Sequence, residues 1–266
     1  MRSEEFQDSL WQDYIQVTPQ ASRIQQLFID QGNAIVNDHV AFRTFNNLPI
    51  NIENLEPVLL GLGYQVFDDY CFEQKQLDAR AYLPADQKMP RVFLSELRVS
   101  SLPKSAQKII NRFSHFLSSS MTVSPAVFFS GRPWPMPSWS DYCSLLEVSE
   151  YAAWLSIMGL RPNHFTISIN HLNDPNINTV VETLTDAGYA MNEAGGIIKG
   201  DPEALLEQCS TMADKLTLTF ADGDQHAVSS CYYEFAKRYK DAGGNLYQGF
   251  VLANADKIFH STDSKA

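Results

Sequence analysis

Apolar and polar residues alternate along Asn37-Asp38-His39-Val40-Ala41-Phe42-Arg43-Thr44, and β-branched and aromatic side chains are frequent there. That pattern predicts a strand. Successive strand side chains point to opposite faces, so His39, Ala41 and Arg43 share one face and Val40, Phe42 and Thr44 share the other. The second face belongs in a core. The first offers an imidazole, a small residue and a guanidinium, with the His39 and Arg43 backbones about 13 Å apart. Before this strand, Trp11, Tyr14 and Ile15, then Ile24, Leu27 and Phe28, recur at helical spacing, and Thr18-Pro19 reads as a helix cap followed by proline at the first helical position. After it come a helix over Asn51–Leu62, an extended piece from Tyr64, and strands over Leu77–Leu83 and Arg91–Val99 with a turn between Pro84 and Pro90.

The second half repeats the order. A helical pattern runs from Leu102 to Leu117, and three prolines and a glycine in Ser130–Pro137 predict a rigid loop that bridges two modules. Ser140–Met158 reads as one helix, Asn163–Ile169 as an alternating strand and Ile177–Ala187 as a helix. Further strands are expected over Gly195–Lys199, Lys215–Phe220 and Cys231–Arg238, with a helix at Asp201-Pro202. Asp38-His39-Val40-Ala41-Phe42 matches Asn163-His164-Phe165-Thr166-Ile167, Leu62-Gly63-Tyr64 matches Ala187-Gly188-Tyr189, and Leu94-Ser95-Glu96-Leu97 matches Tyr232-Tyr233-Glu234-Phe235. Duplication is the simplest account. The expected fold is α+β: two βαβββ-type repeats closing into an incomplete mixed β-barrel with peripheral helices. It is a single domain over residues 1–266, with modules of about 1–130 and about 138–266.

Composition narrows the function. Apolar residues make up 44% of 266, enough for a real core. No run of 18 apolar residues and no basic-then-apolar N-terminus occurs, so neither a membrane span nor a secretory signal is expected. The four cysteines form no CxxC pair, which fits a reducing cytoplasm and no thiolate zinc site. A net charge of -11 disfavours nucleic acid and anionic membranes as partners.

Each repeat carries a histidine early in its first strand and a glutamate on its last. A lone strand histidine is most often an ordinary polar residue, but two at matching positions with a glutamate form a two-histidine, one-carboxylate set. On ferrous iron such a set leaves positions open for a 2-oxo acid and dioxygen. The ligands assigned are His39, His164 and Glu234, and Glu96 could replace or supplement Glu234. His115, His171, His226 and His260 lack the symmetry and are taken as surface or supporting residues; His226 is the least settled, because it precedes the Glu234 strand. Tyr232 and Tyr233 are not taken as catalytic.

The segments His39-Val-Ala-Phe-Arg-Thr-Phe45, Phe93-Leu-Ser-Glu-Leu97, Asn163-His-Phe-Thr166, Tyr232-Tyr-Glu-Phe235 and Ala255-Asp-Lys-Ile-Phe259 resemble the 2-oxoadipate dioxygenase/decarboxylase family, related to the vicinal oxygen chelate superfamily. The resemblance runs from about residue 6 to 262. It implies Fe(II) on His39, His164 and Glu234, and Arg43 as the substrate arginine. It also implies substrate contacts from His39, His164 and, near the C-terminus, Ala253 and Asn254. The implied reaction converts 2-oxoadipate and O2 into 2-hydroxyglutarate and CO2 in a setting of lysine catabolism. The alternatives at this point are another metal enzyme of that superfamily (an extradiol dioxygenase or an isomerase) and a metal-free small-ligand binding module.

Overall fold

The computed structural model describes residues 1–86, 88–117 and 124–263; position 87, inside the expected Pro84–Pro90 turn, lies outside them. Two helices open the chain, α1 (Ser3–Val17) and α2 (Pro19–Asp30). Strand β1 (Asn37–Phe45) follows, then α3 (Ile52–Gly61), whose first turn is capped by Asn51 Oδ1 accepting from the Asn54 amide at 3.0 Å. Gly63, at φ 88°, turns the chain into β2 (Tyr64–Phe72), and β3 (Leu77–Pro84) and β4 (Arg91–Leu97) complete the unit. β2, β3 and β4 pair as an antiparallel meander, and β4 lies parallel to β1.

Helices α4 (Lys104–Phe113), α5 (Trp139–Val148) and α6 (Glu150–Met158) separate the two units. The second comprises β5 (Pro162–Ser168), α7 (Ile177–Asp186), β6 (Lys199–Asp201), β7 (Leu206–Ser210), β8 (Lys215–Thr219), β9 (Gln225–Ser229) and β10 (Tyr232–Arg238), and α8 (Leu252–Ile258) follows. The strand order is β2-β3-β4-β1-β5-β10-β7-β6, so each half contributes the same sequence of neighbours outward from an antiparallel β1–β5 seam. The result is a curled α+β half-barrel of two βαβββ repeats.

One face of the central strands is packed by helices. Phe165 on β5 meets Trp11 and Tyr14 of α1, and Phe235 on β10 meets Phe28 of α2. The other face, carrying His39, Arg43 and His164, is closed by Phe250, α8 and Phe259. Among the described residues no helix is long and apolar enough to cross a membrane.

Four local expectations are corrected. The helix over Ser140–Met158 is two helices, because Ser149 adopts extended backbone and its Oγ caps α6 by accepting from the Ala152 amide at 3.2 Å. The strand expected over Gly195–Lys199 starts only at Lys199, since Gly195 and Gly196 take positive φ in a turn. Asp201-Pro202 opens the turn between β6 and β7 rather than a helix. The Lys215–Phe220 strand lies outside the main sheet, paired with β9 in a hairpin inserted before β10. That hairpin contributes to the longer His164–Glu234 interval.

Candidate metal centre

Register alone brings the three donors together. β5 lies between β1 and β10, with His39 opposite Thr166 and Thr166 opposite Glu234, while Ala41, His164 and Tyr232 form the next row. His39 Nε2 stands 3.4 Å from Glu234 Oε1, and His164 Nε2 stands 3.3 Å from Glu234 Oε2. One ligand atom from each residue lies within 4.8 Å of the others, and all three residues are buried.

The outer ring nitrogens are anchored. His39 Nδ1 is 2.8 Å from Asp38 Oδ1, and His164 Nδ1 is 3.1 Å from Asn163 Oδ1. A carboxylate and an amide oxygen only accept, so each Nδ1 donates a proton outward and each Nε2 faces inward. Asp38 is in turn gripped by Arg238, at 2.7 Å through Nε and 2.9 Å through Nη2, and by Arg91 at 3.2 Å. Burial by itself would raise the Asp38 pKa, but Arg238, His39 and Arg91 together hold it well below the usual carboxylate range. Burial, reinforced by His39 and Arg43, pushes His164 well below the usual imidazole range, so it stays neutral. Glu234 is pushed up by burial, partly offset by His39 and by Gln208, whose Nε2 donates to Oε1 at 2.6 Å.

These residues fit a divalent cation. Two imidazole Nε2 atoms and a carboxylate converge, and Glu234 Oε2 is buried with no hydrogen bond of its own. An orphaned anionic oxygen inside a protein is unfavourable until a cation or proton meets it.

The rest of the pocket is aromatic and cationic. Tyr232 stacks on His164 with centroids 4.6 Å apart, and Phe250 sets its edge to His39 at 4.9 Å. Arg43 is 1% exposed. Its Cζ lies 5.0 Å from the ring centroids of both Tyr151 and Trp154, its Nη1 is 3.3 Å from Glu150 Oε1, and its Nη2 donates to Thr262 Oγ1 at 3.0 Å.

Other expected site residues lie elsewhere. Glu96 accepts from the Ile52 amide at 2.8 Å and caps α3, while its neighbour Ser95 faces the pocket. Because Arg91 pairs with His39 as Tyr232 pairs with His164, the register counterpart of Glu234 is Phe93, three residues before Glu96. His226 stacks on Trp139 at 3.7 Å in the peripheral hairpin. Ala253 is exposed, and Asn254 donates to the Leu206 carbonyl at 3.1 Å; α8 instead presents Ala255 and Ile258 to the pocket. The sequence pattern did not single out Asp38, Asn163, Gln208 or Phe250, and Tyr232 was set aside as not catalytic. For the first two a signal existed, an acceptor residue directly before each repeated histidine.

A half-barrel sheet with two histidines and a glutamate converging on its inner face is a candidate metal centre on a glyoxalase-type fold. The fold is shared with a Ralstonia eutropha glyoxalase superfamily protein (19% identity, TM-score 0.77, 93% of this chain and 85% of that one). The chain belongs to the 2-oxoadipate dioxygenase/decarboxylase family, whose model matches residues 8–128 and 123–247. It is 34% identical over 276 aligned positions to the chloroplastic/amyloplastic 2-oxoadipate dioxygenase/decarboxylase of Oryza sativa subsp. japonica, covering 94% of this chain and 76% of that protein. It also superposes on a crystal structure of the Oryza sativa hydroxyglutarate synthase in complex with 2-oxoadipate, with 32% identity, TM-score 0.92, and 98% and 92% of the two chains covered.

Proposed function

We propose that this chain is an Fe(II)-dependent dioxygenase/decarboxylase that converts 2-oxoadipate and O2 into 2-hydroxyglutarate and CO2. The observation that carries the reading is the buried convergence of His39, His164 and Glu234 in a member of this family. The atoms of this reaction balance with no outside reductant, because the 2-oxo acid is itself the electron source. His39, His164 and Glu234 would hold the iron. When bound, the ion supplies a chelation point for the 2-oxo acid and the redox chemistry of dioxygen.

The remaining work falls to the protein. Asp38 and Asn163 fix the two imidazoles so that both Nε2 atoms stay inward. Arg43 is the partner for the distal carboxylate, since a planar guanidinium matches a carboxylate and sets the orientation of the acid. Tyr232, Phe93 and Phe250 keep bulk water away from the reacting end. A cytoplasmic setting and a place in lysine catabolism belong to the same reading; the first is supported by four cysteines that form no disulfide and is checked by cell fractionation.

The test is anaerobic reconstitution with Fe(II), followed by oxygen uptake and product analysis with 2-oxoadipate. Stoichiometric iron with 2-hydroxyglutarate as product is expected. Absence of oxygen uptake would refute the substrate, and failure to bind any divalent metal would refute the whole reading.

A further inference from the structure

The space beside His39, His164 and Glu234 is about 30 Å³. That holds one or two waters, whereas a six-carbon dicarboxylate needs far more, so something must move before it enters. A second cavity of about 250 Å³ lies next to it, lined by Lys75, Glu150, Tyr151, Phe259 and His260 among others. Phe259 lines both spaces. The Arg43–Glu150 ion pair joins them, with Arg43 on the inner wall and Glu150 on the outer. A third cavity, about 520 Å³ beside Asp38 and Arg91, shares no lining residue with the inner one.

Both Glu150 oxygens face Arg43 Nη1, at 3.3 and 3.5 Å. A carboxylate on that guanidinium is what the far end of a dicarboxylate also offers. We propose that Glu150 is a gate: it occupies the seat on Arg43 that the distal carboxylate of the substrate takes, and the acid enters from the outer cavity by displacing it. The inference rests on the reading of Arg43 as the distal-carboxylate partner. Removing Glu150 alone would strand a buried cation, which is strongly unfavourable. An incoming dicarboxylate restores the pair as it breaks it, so the exchange is close to balanced. Lys75, on the outer wall and 3.4 Å from Asp256, offers the displaced carboxylate a cation.

The sign of one measurement decides the matter. Adipate has both carboxylates and no 2-oxo group, so its binding to metal-free protein needs neither iron nor turnover. Titration of wild type and Glu150→Gln is followed by calorimetry and by emission of Trp154, which lies against Arg43. If Glu150 competes for the seat, the variant binds adipate more tightly, by about ten-fold, the value of one charge-assisted hydrogen bond. If Glu150 merely positions Arg43, the variant binds more weakly; that result, unchanged affinity, or no adipate binding by either protein would overturn the proposal. The route has its own arm at exposed Val148 of the outer cavity. Val148→Trp should slow adipate association about ten-fold, while Leu246→Trp in the third cavity should not; the reverse would overturn the entrance. Failure of the wild-type holoenzyme to oxidise 2-oxoadipate would refute the functional reading and leave these binding results to judge the gate.

Discussion

Asp38 and Asn163 hold the same nitrogen on equivalent histidines, yet one is a carboxylate locked by Arg238 and the other a neutral amide. A carboxylate behind a ligating imidazole supports its bond to a metal more strongly than an amide does. Asp38→Asn should therefore weaken metal binding by roughly 10–100-fold, measured by competition with a chelator. It should also lower stability by about 3 kcal/mol, because Arg238 stays buried without its counter-charge; wild-type affinity in that variant would show that the carboxylate does not tune the site. His39 and His164 stood out because duplication marks them twice, and Arg43 because strand periodicity puts it on the His39 face; Glu234 came from a motif match with Glu96 that the ladder does not keep. Glu96 was misjudged because the register of β4 against β1 is a tertiary fact: the motif match is offset by three residues from the ladder. Ala253 and Asn254 missed the pocket for a similar reason, since the phase of α8 turns Ala255 and Ile258 inward.

At the scale of elements, the break at Ser149 matters most. Apolar periodicity runs through it, so a single helix is the natural reading, and only the cap reveals two. The break starts α6 at Glu150 and Tyr151, beside Arg43. Ser149→Ala should cost about 1 kcal/mol, read by urea denaturation, and loss of much less would mean that packing alone holds the α6 start. The short outer strands were the least legible. β6 has three residues and β7 five, too few for a period to emerge. β6 also carries the buried Lys199, which donates to the Asn192 and Ile197 carbonyls. Burial, only partly offset by Cys209 and Glu234, lowers its pKa to about 8. Below that pH folded and unfolded chains both carry the proton, and the folded state bears the full cost of burial. Between pH 8 and the ordinary lysine value of 10.5 the folded chain has lost the proton while the unfolded chain keeps it, so this group adds stability as pH rises. Relative to Lys199→Met, the wild type should gain roughly 1–3 kcal/mol between about pH 7.5 and about pH 10; an unchanged difference in urea would contradict that burial cost.

Across the whole molecule, the β1–β5 seam and the donor set coincide. His39 comes from the first half, His164 and Glu234 from the second, and the three strands that carry them are adjacent in the middle of the sheet. We propose that the halves, about 1–130 and about 138–266, are modules of one domain, joined by the Pro-rich loop and inseparable, because cutting the seam would expose the buried strands β1 and β5 as open sheet edges. Either half expressed alone should fail to give a cooperative melt, and a cooperative melt from one would separate them. An ion bound across the seam adds to the same connection, since it binds the folded chain and has no preformed site in the unfolded one. At a thousand times its dissociation constant, the ion contributes about 4 kcal/mol. For a chain of this size that is a rise in Tm of roughly 10 °C. Chelator treatment should therefore lower the melting temperature by that amount and Fe(II) should restore it. Glu234→Gln, which keeps the shape of the side chain but offers no anionic oxygen, should melt at one temperature with or without metal. A full metal-dependent shift in that variant would place the ion somewhere other than between His39, His164 and Glu234.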